Sequence, residues 1–417
     1  MTYIEFFDSI ASENISACLT YAPERVVYIG DDADLINAHI ENYKKVFSAR
    51  GYNIDFICKN TSRSNLDSAV ELLTELVETY DDCVFDITGG EELFVLALGI
   101  VYSRYPNKNI QIHKFNLKNN KLYDFDKDGK TVYRDTPTLS VEENVRIYGG
   151  EVAYGEINEE KTYKWDLTPD FLNDIELMWR VCRTNVRYWN TQIGIFEAIE
   201  IVGNKDGLMT TVSRTALEHY LTRHKLKYIK AKGIINYLLN KKLITCFDDE
   251  NEATVTVSYK NEQVKKCLTK AGQVLEMKVY VMAKSVCDKK GELVYDDAVN
   301  GVVIDWDGEF HDEKLDGIYD TENEIDILLM HDIIPVFISC KNGIVTTEEL
   351  YKLNTVAERF GGPYAKRVLI ATSLDSLREA GKYIRQRAID MDITLVEKIQ
   401  DLSDAEINKI IRNLWND

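Results

Sequence analysis

The sequence predicts an α/β protein in three parts, on three observations. Strand and helix alternate from Arg25 to Tyr105, a helical middle segment runs into a short hairpin after Leu243, and a strand-rich order occupies the last third, from Val302 to Ala371. The expected divisions are residues 1–150, 151–262 and 263–417, with Tyr148-Gly149-Gly150 at the first boundary. A chain of 417 residues with 45% hydrophobic content exceeds one core and can bury several.

In the first part, Arg25–Gly30 reads as a strand, Ala33–Ala49 as a helix and Asn53–Cys58 as a strand. Leu66–Tyr80 then reads as a helix, Cys83–Ile87 as a strand and Glu91–Tyr105 as a helix. This alternation predicts a mostly parallel sheet with helices on both faces and a ligand crevice at the carboxyl ends of the strands. Two loops there are distinctive: Gly30-Asp31-Asp32, and Thr88-Gly89-Gly90-Glu91-Glu92. A Gly-Gly pair admits close backbone approach, Thr88 offers a hydroxyl, and the following helix presents unpaired N–H groups. Phosphate is the natural guest. Thr61-Ser62-Arg63-Ser64-Asn65 reaches the same sheet edge with hydroxyls and one cation, and Ser64 or Asn65 also suits a helix cap. No GxGxxG follows the first strand, which argues against an ordinary dinucleotide site.

The Thr-Gly-Gly turn in this position resembles the CRISPR-associated Rossmann-fold (CARF) sensor domain, over residues 1–150. That resemblance implies binding of a cyclic oligoadenylate across a dimer interface. The expected contacts are Gly30, Asp31, Asp32, Ser62, Arg63, Thr88, Gly89, Gly90 and Glu91. Many such domains follow Thr-Gly-Gly with Thr and Lys, whereas this chain has Glu91 and Glu92. These acids point away from the ligand, satisfy helix donors, or bond ribose or adenine.

The middle segment reads as helices at Pro169–Asn190, Gln192–Ile201 and Ile234–Leu239, then a hairpin of Leu243–Phe247 and Ala253–Ser258. Such an order predicts a winged-helix-like α+β module that contacts DNA, forms a dimer or connects the outer parts. Arg214, Arg223, Lys225, Lys227, Lys230, Lys232, Lys241 and Lys242 face one acid, Glu218, with Tyr220, Tyr228 and Tyr237 interleaved. That pattern fits a nucleic-acid track or a solvated helical face. The net charge of −19 opposes nucleic-acid binding as a sum, so the distribution of the cations decides.

In the last part, Val302–Trp306, Glu324–Met330, Pro335–Lys341 and Arg367–Ala371 read as buried strands. Thr347–Phe360 reads as a helix ended by Gly361-Gly362-Pro363. Strand alternation puts Glu324 and Asp326 on one face of their strand, and Ser339 and Lys341 on one face of the next. An acid and a lysine at one point suit phosphodiester cleavage: the carboxylate holds Mg²⁺ or Mn²⁺, and the lysine orients water or neutralises developing charge. A plain salt bridge at a strand end is the other reading of the pair.

This arrangement resembles the PD-(D/E)xK nucleases, which have a restriction-endonuclease-like α/β fold. Ser339 stands where that family usually has Glu or Asp. Glu276, on a preceding helix, supplies the missing charge by analogy with relatives, and Asp305 and Glu324 are further candidates. The resulting expectation is that Asp326, the Cys340 carbonyl and Glu276 bind the metal while Lys341 orients water, with Ser339 beside them.

A CARF-like sensor joined to such a nuclease resembles the cyclic-oligoadenylate-activated nucleases of type III CRISPR systems. The resemblance implies a homodimer activated by a cyclic oligoadenylate, cyclic tetra-adenylate first among them, that cuts single-stranded DNA or RNA or nicks duplex DNA. The alternative is a ligand-responsive transcription regulator with a decayed nuclease, which Ser339 would favour. A ligand-cleaving sensor lacks an obvious base. No run of eighteen apolar residues occurs and Met1–Ser9 carries acids, so a cytoplasmic, non-membrane protein is expected. Eight scattered cysteines, with no CxxC pair, are expected to be reduced.

Overall fold

The computed structural model describes residues 1–116, 121–125, 131–311, 321–374 and 378–416. Asn119-Asn120 and Asp126–Gly129, polar stretches whose composition suits hairpin turns at the end of the first part, lie outside them. Among the described residues three sheets form, and the protein is a mixed α/β structure.

The first sheet is built on β1 (Thr2–Phe6), buried along its whole length. Around it lie β2 (Arg25–Gly30), β3 (Asp55–Asn60), β4 (Asp82–Asp86), β5 (Asn109–Asn116), β6 (Lys121–Phe125) and β7 (Thr131–Arg134). Their order is β3-β2-β1-β4-β5-β6-β7, with β1 to β5 parallel and the last two antiparallel. The chain moves outward from β1 on one side and returns to β4 on the other, so the topological switch point falls between the carboxyl ends of β1 and β4.

Helices cover both faces because each carries one apolar stripe. Ala33–Ala49 buries Ile36, Ile40, Tyr43, Val46 and Phe47, and Leu66–Thr79 buries Ala69, Val70, Leu73, Leu76 and Val77. The first packs on one side of the sheet with Ala11–Tyr21, and the second on the other with Glu92–Arg104. Their starts are fixed by capping side chains: Asp32 accepts from Leu35 N–H at 3.0 Å, and Asn65 from Ser68 N–H at 3.1 Å.

After the short β8 (Glu151–Val152), the helices Pro169–Thr184 and Val186–Val202 lead into the second sheet. Its strands β9 (Asn204–Asp206), β10 (Met209–Ser213), β11 (Ile244–Asp248) and β12 (Thr254–Tyr259) are arranged β11-β12-β10-β9. Arg214–Arg223 and Lys232–Asn240 lie between β10 and β11, giving helix, strand, two helices and a hairpin.

The third sheet has the order β17-β16-β15-β14-β13-β8, from β13 (Asp297–Asp305), β14 (Glu322–His331), β15 (Ile334–Lys341), β16 (Lys366–Ala371) and β17 (Ile393–Glu397). β13, β14 and β15 form an antiparallel meander, and β15, β16 and β17 run parallel, with the helix Thr347–Gly361 crossing from β15 to β16. One set of its apolar residues, including Leu328, Phe337 and Leu369, shares a core with Ala11–Tyr21 of the first part. Another, including Leu329, Ile338 and Ile370, shares a core with the helix Gln273–Ser285 and the middle module. The last part is therefore continuous in packing with both the first part and the middle module.

Candidate functional site

The ladder between β14 and β15 runs from His331↔Ile334 to Ile327↔Ile338. Beyond it Asp326 turns its carboxylate toward β15: Oδ2 accepts from Cys340 N–H at 2.6 Å and from Ser339 Oγ at 3.1 Å. Because N–H and C=O of one strand residue project to the same edge, the Cys340 carbonyl faces this place as well. Lys341 Nζ lies 3.8 Å from Asp326 Oδ2. Asp326, Ser339, Cys340 and Lys341 therefore meet.

Glu276 enters from the first turn of Gln273–Ser285, buried to 4% exposure. Gln273 Nε2 donates to Glu276 Oε2 at 3.1 Å and to Asn300 Oδ1 at 3.3 Å, and Asn300 Nδ2 donates to the Asp326 carbonyl at 3.0 Å. One amide chain thus ties the helix carboxylate to the strand that carries the other. Burial, then the negative charge of Asp326, pushes the Glu276 carboxyl up to about 8. Burial likewise raises Asp326, against the pull of Lys341.

Of the other acids named from the sequence, one borders the site and one sits elsewhere. Glu324 pairs with Lys270 at 2.6 Å at the mouth of the site. Asp305 is opposite Glu322 at the far end of β13, where its carboxylate accepts from Gly308 N–H at 2.8 Å. Glu349 was missed: its Oε2 is 2.9 Å from Lys341 Nζ. The available signal was Thr346-Thr347-Glu348-Glu349, acids in the first turn of a helix just after Lys341.

Among the described residues no cluster of three His, Cys, Asp or Glu side chains forms a ready metal site. Two carboxylates plus a backbone carbonyl are nonetheless hard oxygen donors, and the rise at Glu276, due first to burial and then to the charge of Asp326, includes a repulsion that a divalent cation would offset. These residues fit Mg²⁺ or Mn²⁺. A groove of about 1180 Å³ opens beside them, lined by Tyr163, Trp165, Gln273 and Asn300 and by lysines such as Lys161, Lys266 and Lys270 that are outnumbered by glutamates, among them Glu200, Glu322 and Glu324.

In the first part, loops from three strands converge on Arg63. Its Nε is 2.6 Å from Asp31 Oδ1 and its Nη1 is 3.3 Å from Glu91 Oε1. Ser62 Oγ is 3.2 Å from Ser64 Oγ, and Asp32 serves as the cap already described. Gly30 packs on Ile36 at the end of β2. A cavity of about 470 Å³ is lined by Asp31, Asp32, Ala33, Asp34 and Asn60. Glu91 makes no side-chain cap on Glu92–Arg104.

Thr88 is turned inward: its hydroxyl donates to Asp86 and accepts from Phe115 N–H at 2.7 Å, which fixes the loop. Gly90 has φ +85°, and a Cβ there would lie 2.4 Å from Phe6 Cβ. A Cβ on Gly89 would lie 2.8 Å from Asp8 Cβ. The turn therefore stands against the end of β1, at the switch point. Asp8 and Glu13 line this place and were missed because Thr2–Phe6 was not read as a strand.

Of the basic run in the middle module, Arg214 and Lys230 are occupied by the β11–β12 turn, through the Asp249 carbonyl at 2.7 Å and the Asp249 carboxylate. Arg223, Lys225, Lys227, Lys232, Lys241 and Lys242 remain exposed.

No protein-family model matches the chain, and no curated protein matches it by sequence. Solved structures do match. Protein VC1899 from Vibrio cholerae is 15% identical, with a TM-score of 0.71 over 99% of this chain and 97% of that one. Can2 from Sulfobacillus thermosulfidooxidans, solved in complex with cyclic tetra-adenylate, is 14% identical, with a TM-score of 0.67 over 100% of this chain and 99% of that one. The chain thus shares its fold, from end to end, with these two proteins.

Proposed function

We propose that this protein is a type III CRISPR ancillary nuclease, in which a cyclic oligoadenylate, cyclic tetra-adenylate first, activates metal-dependent cleavage of DNA or RNA. The observation that carries the reading is the convergence of Asp326, Glu276, the Cys340 carbonyl and Lys341 at the splayed end of β14 and β15. The end-to-end likeness to a chain solved with cyclic tetra-adenylate supports the choice of activator. In this reading residues 1–150 are a CARF-like sensor, 151–262 a winged-helix-like connector and 263–417 a PD-(D/E)xK-like nuclease, and the active form is a homodimer. No described helix is long and apolar enough to cross a membrane.

Asp326, Glu276 and the Cys340 carbonyl would hold Mg²⁺ or Mn²⁺. When bound, such an ion would supply Lewis-acid polarisation of the phosphate and a more acidic water. Lys341 orients the attacking water and offsets charge on the phosphate. Ser339, a hydrogen-bond donor to Asp326, orients that carboxylate rather than adding a charge. The exposed cations of the middle module carry the polynucleotide backbone.

The sensor contacts are the loops joined by Arg63 and the Gly89-Gly90 turn at the switch point. A ligand there acts only by favouring one arrangement over another. The test is cleavage of labelled single-stranded DNA and RNA, and nicking of supercoiled duplex, with Mg²⁺ or Mn²⁺, with and without cyclic tetra-adenylate. Cutting that requires the cyclic nucleotide is expected. Metal-independent, sequence-specific duplex binding without turnover would replace this reading with a transcription regulator.

A further inference from the structure

We infer that Glu349 is a positioning residue for Lys341, and that the helix Thr347–Gly361 conveys the state of the sensor turn to that pair. The inference rests on the nuclease reading above and adds its wiring.

Lys341 Nζ is closer to Glu349 (2.9 Å) than to Asp326 (3.8 Å). An ammonium held by a carboxylate has part of its charge neutralised and its donors directed away from a phosphate at Asp326. Glu349 therefore holds the lysine back, and releasing it is what activation requires.

Glu349 sits in the first turn of a helix whose other end is fastened to the sensor part. Asn144 Nδ2 donates to the Phe360 carbonyl at 2.7 Å, and Arg359 Nη1 donates to the Tyr148 carbonyl at 2.6 Å. Just past the helix, on the turn Gly362–Tyr364, a Cβ on Gly362 would lie 3.8 Å from Ile10 Cγ2, and the Tyr364 hydroxyl lies near the Glu13 carboxylate, whose charge adds to burial in raising it. Glu13 lies in the first turn of Ala11–Tyr21, and its Oε2 is 3.5 Å from where a Gly89 Cβ would stand. The Gly89-Gly90 turn thus leans on Asp8 and Glu13, Glu13 on Tyr364, and Tyr364 ends the helix that begins at Glu349.

A helix of this length is a rod of about 22 Å. Leu350, Leu353, Val356, Ala357 and Phe360 seat it along the sheet, so a shift at its end is passed along the rod rather than absorbed. Occupation of the switch point displaces the Glu13–Tyr364 contact, moves the rod and draws Glu349 off Lys341. The ammonium, no longer held by Glu349, is then free to meet a phosphate beside Asp326.

The test reads Lys341 itself. Acetylation by N-hydroxysuccinimidyl acetate, quantified by peptide mass spectrometry, should rise severalfold at Lys341 when cyclic tetra-adenylate binds the full-length protein. Glu349→Gln should give a similar rise with no ligand, and Glu349→Asp should restore protection. Tyr364→Phe should keep calorimetric binding of the cyclic nucleotide and lose the rise. In cleavage assays Glu349→Gln should raise ligand-free cutting about tenfold. Unchanged Lys341 acetylation in Glu349→Gln, or a loss of ligand-saturated cleavage together with unchanged acetylation, overturns the inference. If Lys341 responds as stated while the wild type cuts neither DNA nor RNA, the wiring stands and the nuclease reading fails.

Discussion

Cys340 donates its backbone N–H to the Asp326 carboxylate at 2.6 Å, at the point where β14 and β15 stop pairing. The bond does two things at once. It satisfies a main-chain donor that has left the ladder, and it fixes the carboxylate beside the carbonyl of the same residue.

Asp326→Ala leaves that buried donor unpaired, at a cost of about 1–3 kcal/mol, whereas Asp326→Asn retains an acceptor. Asp326→Asn should therefore melt close to wild type and still lose about 10³-fold or more in single-turnover cleavage, since it removes the charge that holds the metal. Calorimetric melting and rapid-quench kinetics on both variants check this. Equal cleavage by Asp326→Asn and wild type would remove Asp326 from the chemistry.

The Glu276 carboxyl is raised by burial and by Asp326 from its usual 4.5 to about 8. Between those values the folded protein holds a proton that the unfolded chain has released. Stability contributed at this position is thus fully present below about pH 4.5 and declines as pH rises toward 8. Without metal, Glu276→Gln should be more stable than wild type at pH 8.5, by on the order of a few kcal/mol, and match it near pH 5. Denaturant titrations at the two pH values decide. In wild type, the metal concentration for half-maximal cleavage should fall as pH rises from 6 to 8.5, because the ion must displace that proton.

Gly90 is in the left-handed region at φ +85°, with Phe6 Cβ 2.4 Å from where its own Cβ would be. Gly90→Ala should cost about 1–3 kcal/mol and abolish binding of cyclic tetra-adenylate by moving the turn. Gly99, inside Glu92–Arg104, has open space, so Gly99→Ala should stabilise by about 0.5–1 kcal/mol and bind normally. Melting and calorimetric titration of the pair separate turn geometry from general damage.

Arg63 joins the loops after β2, β3 and β4 through two partly exposed ion pairs. Such pairs contribute about 0–1 kcal/mol, so Arg63→Ala should melt within a degree or two of wild type. If the guanidinium meets a phosphate of the ligand, affinity should fall about tenfold or more, with ligand-saturated cleavage unchanged. Unchanged affinity would move the ligand away from these loops.

The large periodic elements were legible in the sequence because their apolar stripes are long: Ala33–Ala49, Leu66–Thr79 and β15 were each placed within a residue or two. β1 was not, since this five-residue strand carries Glu5 as its fourth residue, and the charge hid a fully buried element. With β1 went the switch point and the neighbourhood of Asp8 and Glu13. Arg214–Arg223 was read as a charged stretch because it buries only Leu217 and Leu221. At the candidate site, strand alternation brought Asp326 and Lys341 together correctly. It could not supply Glu349, Gln273 or Asn300, which arrive from other elements through contacts that sequence spacing does not encode.

The most direct measurement is cleavage by wild type and Lys341→Ala side by side, each with Mn²⁺ and saturating cyclic tetra-adenylate, alongside calorimetric binding of that nucleotide. The account predicts ligand-dependent cutting by wild type, none by Lys341→Ala, and equal affinity in both. Cutting retained by Lys341→Ala, or tight binding with no cutting by wild type under any metal, would contradict it.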